Sequence, residues 1–129
     1  MHKVAIVEDD TQIRTMLELS MQYAGFEVVS ANNGKHGLDT VLRERPQVAI
    51  LDVTMPGMSG FELCRAVKQL MGNRAPYVIM LTAKGQPSDV NAGRAHGADL
   101  YLIKPVDMSK LIGHVRDAIG EDPASSQTP

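Results

Sequence analysis

A chain of 129 residues with 43% hydrophobic residues has the size and composition of one globular domain. Its formal net charge of −2 excludes a broad attraction to nucleic-acid backbones or anionic membranes, and its single cysteine excludes an internal disulfide framework. No apolar run approaches the roughly 20 residues that cross a bilayer, and the opening MHKVAIVEDD turns acidic too soon for a signal peptide, so a cytoplasmic domain with no membrane or nucleic-acid partner of its own is expected.

Residues 3–7 (KVAIV) read as a short buried strand followed at once by Glu8, Asp9 and Asp10. Residues 11–24 have helical spacing, with Ile13, Met16, Leu17, Ser20, Met21 and Ala24 on one face. Asp10 or Thr11 suits the cap at its start and Gly25 the left-handed residue at its end. Residues 26–31 (FEVVSA) are strand-like, and Asn32, Asn33 and Gly34 turn the chain. A second helix carries Leu38, Val41 and Leu42 and must stop before Pro46. Residues 48–51 (VAIL) are a continuous apolar run, the pattern of a strand buried on both faces. They end in Asp52, and Thr54, Pro56, Gly57 and Gly60 turn the chain again.

Ser59 and Glu62 form the capping box of a third helix whose apolar stripe is Leu63, Cys64, Val67, Leu70 and Met71. Residues 77–81 (YVIML) form a fourth strand ending in Thr82. A weaker helix is expected over 88–96, with Asn91 and Gly93 inside it. Residues 100–103 form a fifth strand ending in Lys104 and Pro105. Asp107 caps a last helix with Leu111, Ile112, Val115 and Ile119 inward, and Gly120 closes it. Strand and helix alternate five times, which predicts an α/β fold: one doubly wound, five-stranded parallel sheet with helices on both faces. Residues 1–120 are expected to be this domain, and the polar 121–129 a disordered tail or the start of a linker.

All strands of such a sheet point one way, so their C-terminal ends line one edge, where open α/β sheets carry their chemistry. At those ends stand Glu8, Asp9 and Asp10, then Asp52, Thr82 and Lys104. Crowded carboxylates repel unless a cation is present. Lys104 supplies one charge, and the oxygen-only cluster suits Mg²⁺. One cysteine and four scattered histidines do not suit zinc. A carboxylate beside Mg²⁺, a lysine and a hydroxyl can accept a phosphoryl group as an acyl phosphate, whose transfer spreads charge over three oxygens. Mg²⁺, Lys104, and Thr82 with a nearby N–H could take one each.

The chain from about residue 3 to 119 resembles the receiver domains of two-component response regulators. The resemblance rests on VEDD at 7–10, LDVTMPGMSG at 51–60, LTA at 81–83, GAD at 97–99 and YLIKP at 101–105. It implies a flavodoxin-like (βα)5 fold with strand order 2-1-3-4-5. It implies Asp52 as phosphoacceptor and Asp9 as a direct Mg²⁺ ligand, with Glu8 acting through water and the Thr54 carbonyl as a further ligand. Lys104 would pair with the phosphoryl group and form a cis bond to Pro105. Thr82 and the N–H of Ala83 would bond phosphoryl oxygens, and Lys84 with Thr54 would tune dephosphorylation. Tyr101 matches an aromatic switch position that follows Thr82, altering the face made by the helix expected over 88–96, the fifth strand and the last helix. The partners implied are a sensor histidine kinase or histidine phosphotransfer protein, and an output protein or domain.

An Mg²⁺-dependent phosphohydrolase of the haloacid dehalogenase type wants D-x-D after its first strand, whereas Thr54 stands at the second acid and the motif follows the third strand. A flavodoxin-like nucleotide binder lacks its Gly-rich loop after the first strand. The full set of Asp9, Asp52, Thr82 and Lys104 argues against a degenerate receiver. The expected function is a phosphorylation-controlled switch that promotes only its own phosphorylation and dephosphorylation. No output domain follows Gly120, so a single-domain regulator or the receiver of a longer chain is expected. Lys110 and Leu100 stand where winged-helix relatives usually carry acids used in dimerisation, which predicts a monomer or a weak phosphorylation-dependent dimer using another surface.

Overall fold

The computed structural model describes residues 2–83 and 97–120; the expected helix over 88–96, Lys84 and the tail 121–129 lie outside them. Five strands form one parallel sheet: β1 (Lys3–Val7), β2 (Glu27–Ala31), β3 (Val48–Asp52), β4 (Tyr77–Thr82) and β5 (Leu100–Ile103). Their order is β2-β1-β3-β4-β5, as the resemblance implies. The helices are α1 (Thr11–Tyr23), α2 (Gly34–Glu44), α3 (Gly60–Met71) and α4 (Met108–Ala118), with a short 3-10 turn at Gly72–Arg74.

Strand side chains alternate between two core layers, as the period of two requires. Ala5, Val7, Ala49, Leu51, Val78 and Met80 pack with Val41, Leu63, Cys64 and Val67 of α2 and α3. Val4, Ile6, Val48, Ile50, Ile79 and Leu81 pack with Leu17, Met21, Leu111 and Val115 of α1 and α4. β3 is buried along its whole length, which is why its sequence shows no polar alternation. Each such Leu, Ile or Val contributes about 1.5–3 kcal/mol on leaving water.

The helix starts follow side-chain caps. Asp10 accepts from the N–H of Ile13 at 2.9 Å, and Ser59 and Glu62 make the reciprocal capping box. Asp107 accepts from Ser109 and Lys110 N–H groups. Gly25 (φ 99°) and Gly120 (φ 75°) take the left-handed positions after α1 and α4. Gly34 opens α2 rather than belonging to the turn, because Asn33 is the cap and accepts from His36 N–H.

Three helix residues read as apolar positions are exposed instead, Leu42 of α2 among them at 37%. Met16 is half exposed, because α1 meets the sheet along the narrow row Ile13, Leu17 and Met21, one residue in four. Leu70 is 65% exposed, since α3 buries the row through Leu63, Cys64 and Val67 and Leu70 falls on its flank.

Candidate functional site

The C-terminal ends of β1, β3 and β5 bring Glu8, Asp52 and Lys104 into contact. The Lys104 ammonium lies 2.8 Å from Asp52 Oδ1 and 3.2 Å from Glu8 Oε1. Glu8 and Asp52 are 2% and 5% exposed, so the lysine bridges two carboxylates that are almost wholly withdrawn from water. Asp9 is exposed and adds a third carboxylate: Glu8, Asp9 and Asp52 each offer an oxygen within 4.8 Å of the others. All these donors are hard oxygens, and no cysteine or histidine joins the group among the described residues, so the residues present fit Mg²⁺.

Local structure sets these positions. Val53 N–H donates to Leu81 O at 2.9 Å, extending the β3–β4 pairing one residue past Asp52. Gly60 N–H donates to Val53 O at 2.9 Å and closes the loop onto α3. A side chain at Gly60 would run into the Asp52 carbonyl and lie 2.9 Å from Val53 Cα, so only glycine lets α3 start this close to the acid. Lys104 N–H donates to Thr82 O at 2.7 Å, which ties the lysine to the end of β4, and the Lys104–Pro105 peptide is cis.

Burial, opposed by the Asp10 N–H, pushes the Glu8 carboxyl up to about 7, with the Asp52 charge adding to the rise. Burial works against the Lys104 ammonium, yet the bond to Asp52 and the charges of Asp52 and Glu8 outweigh it and raise its pKa. The cluster therefore carries excess negative charge, which a divalent cation would neutralise.

Thr82 is 2% exposed at the end of β4, and Ala83 follows it on the surface. Thr54 is exposed on the loop after β3. Tyr101 is not part of the carboxylate–lysine cluster. Its ring stacks on Phe61 with centroids 6.5 Å apart and planes 16° from parallel, packs against the α2–α3 core layer, and buries its hydroxyl oxygen. Asp10 is a helix cap, and Cys64 is buried, with burial raising its thiol to about 11. Met55 is buried in the core.

Sequence reasoning missed Arg14, whose Nη1 donates to the Glu8 carbonyl at 2.9 Å. An arginine in the first turn of α1 had no motif to mark it. It also missed Lys68, which bonds Asp99 at 2.6 Å while Asp99 accepts from Val78 N–H. This pair fixes the start of β5 against β4 and α3.

A family description, the response regulator receiver domain, matches residues 4–116. The chain belongs to that family. It is 40% identical over 116 residues to the transcriptional regulatory protein AfsQ1 of Streptomyces coelicolor, covering 90% of this chain and 50% of AfsQ1. The structure of the Vibrio cholerae chemotaxis protein CheY4 superposes with a TM-score of 0.84 at 35% identity, over 92% of this receiver and 98% of that chain. A BeF3-activated DrrB receiver domain does so with a TM-score of 0.83 at 30% identity, over 94% and 99%. This receiver spans about half the length of the curated relatives it matches. As members of a response regulator family, such domains serve signalling rather than metabolic turnover. No helix among the described residues is long and apolar enough to cross a membrane.

Proposed function

We propose that this receiver is a switch that takes a phosphoryl group on Asp52. The observation that carries the reading is the Lys104 ammonium bridging the buried carboxylates of Glu8 and Asp52 beside a third acid. In the reaction, an Asp52 carboxylate oxygen attacks phosphorus, the O–P bond forms, and the bond from phosphorus to the donor's imidazole nitrogen breaks. The donor is a histidine kinase or a histidine phosphotransfer protein. Mg²⁺, when bound, neutralises charge on the transferring group. Glu8, Asp9 and Asp52 would hold it, with the Thr54 carbonyl.

Lys104 loses its bond to the unmodified carboxylate and pairs with the new phosphoryl oxygens. Thr82 and the Ala83 N–H take another oxygen. The same groups support hydrolysis of the acyl phosphate, so the domain acts only on its own phosphorylation state. An apolar cavity of about 420 Å³ is bordered by Ile13, Met16, Lys104, Pro105 and Met108. Movement of Thr82 is read out by Tyr101 and alters the face made by the helix expected over 88–96, β5 and α4, toward an output protein or domain. Residues 1–120 are the receiver and 121–129 a tail or linker.

The test is modification by acetyl phosphate, and occupancy by beryllofluoride, with Mg²⁺ present. Mass spectrometry should place one phosphoryl group on Asp52, and Asp52→Asn should remove it. An adduct on another residue, or none, would overturn the assignment.

A further inference from the structure

Beside the acidic cluster, the end of β2 and the first turns of α1 and α2 enclose an open cavity of about 300 Å³, lined by Arg14, Ser30, Ala31, Asn32, His36 and Thr40. It lies at the same C-terminal edge of the sheet, holds none of the acidic cluster, and shares with it only the contact of Arg14 to the Glu8 carbonyl.

The hydrogen bonds around this cavity determine what it offers a ligand. Asn33 Oδ1 accepts from His36 N–H at 2.8 Å, so the orientation of the Asn33 amide is fixed. Its Nδ2 reaches Asn32 Oδ1 at 2.9 Å and His36 Nδ1 at 3.1 Å. An amide NH2 only donates, so His36 Nδ1 accepts and the ring proton sits on Nε2. The Asn32 carbonyl is likewise used, which leaves its NH2 as the free end. Ser30 Oγ donates to Glu18 Oε2 at 3.1 Å. Arg14 gives one N–H to the Glu8 carbonyl, and its nearest carboxylate oxygen, on Glu18, is 3.9 Å away. Thr40 is only 7% exposed, yet its hydroxyl is not sealed off without a partner; it opens onto the cavity that the residue lines. A hydroxyl at the mouth of a cavity can bond a ligand in place of water.

What remains available is a set of donors: the Arg14 fork, Asn32 Nδ2, His36 Nε2–H and the Thr40 hydroxyl. The 11-residue α2 starts there and adds the positive end of its dipole. We infer that this cavity binds a small oxyanion, of the carboxylate or phosphate class. Glu18 opposes it by partly neutralising Arg14. Because Arg14 also holds the Glu8 carbonyl, occupancy is linked to the position of a residue in the acidic cluster.

The test is an NMR titration of the isotopically labelled chain without Mg²⁺, at constant ionic strength, with inorganic phosphate in one arm and acetate in the other. Without metal the carboxylates of Glu8, Asp9 and Asp52 repel anions, so binding there does not mimic binding in the cavity. Saturable shifts are expected at Arg14, Ser30, Asn32, His36 and Thr40, and the tighter arm identifies the class. Thr40→Val is isosteric and should weaken binding roughly five- to tenfold by removing one hydrogen bond, with Thr40→Ser restoring it. Glu18→Gln should strengthen binding. Shifts that grow without saturating in both arms, that centre on Asp52 and Lys104, or that ignore Thr40→Val and Glu18→Gln would overturn the inference.

Discussion

Gly60→Ala is a small change with a large expected effect. Gly60 is not at positive φ, so alanine meets no backbone penalty, and at this first helical position it gains at most about 1 kcal/mol of helix propensity. The obstacle is contact. The new Cβ would lie 2.9 Å from Val53 Cα and closer still to the Asp52 carbonyl, where carbon atoms pack at about 3.5–4.0 Å. Both neighbours are backbone and cannot rotate away, so α3 or the Asp52 strand end must move by roughly 0.6–1 Å. Overpacking of this kind costs about 1–3 kcal/mol or more, and the rigid partner puts it at the upper end, for a net loss of about 2 kcal/mol after the propensity gain. Gly113→Ala in α4 is the matched control: nothing lies within 4 Å of its Cβ, so it should gain up to about 1 kcal/mol. Urea unfolding measures both, and beryllofluoride affinity reports whether Asp52 has shifted. Gly60→Ala matching or exceeding wild-type stability, with unchanged beryllofluoride affinity, would refute the claim that close packing of α3 positions the acid.

Lys104→Met leaves Glu8 and Asp52 buried without their cation. Urea unfolding in metal-free buffer should show a loss at or below the lower end of the roughly 3–5 kcal/mol typical of a broken buried pair, since Glu8 can take up a proton. Asp9→Asn should weaken Mg²⁺ binding by calorimetry while leaving metal-free stability unchanged or higher, because it removes a repelling charge. Glu8 makes stability pH-dependent. Its folded pKa is raised from 4.5 to about 7, so the folded state binds more protons in that window and its contribution falls as pH rises through it. Metal-free denaturation midpoints should show this decline, and Glu8→Gln should flatten it; a Glu8 contribution that rises over the same window would contradict the placement of this residue.

Strand positions were legible because β1, β3 and β4 are buried on both faces and so read as unbroken apolar runs. The acids, Thr82 and Lys104 were legible because each interrupts such a run at a strand end. Helix faces were less so: Met16 and Leu70 are apolar and correctly spaced, yet exposed, since spacing does not tell how wide a stripe the sheet covers. Arg14 and Lys68 were illegible for another reason. Their partners are a backbone carbonyl and a carboxylate across the fold, and neither leaves a local pattern.

β5 lies at the margin of the sheet, bonded to β4 alone among the described strands; its first three residues are partly buried and Ile103 is exposed. Yet this strand leads directly into Lys104, which balances acids 52 and 96 residues away in sequence. The charge balance of the site is thus entrusted to one of the two edge strands. When β5 loosens, the acids stay seated on β1 and β3 while their cation departs, leaving a pocket of bare negative charge. Local opening of this strand and neutralisation of the site are therefore opposed, and whatever supplies positive charge to the acids in its absence lowers the cost of its departure.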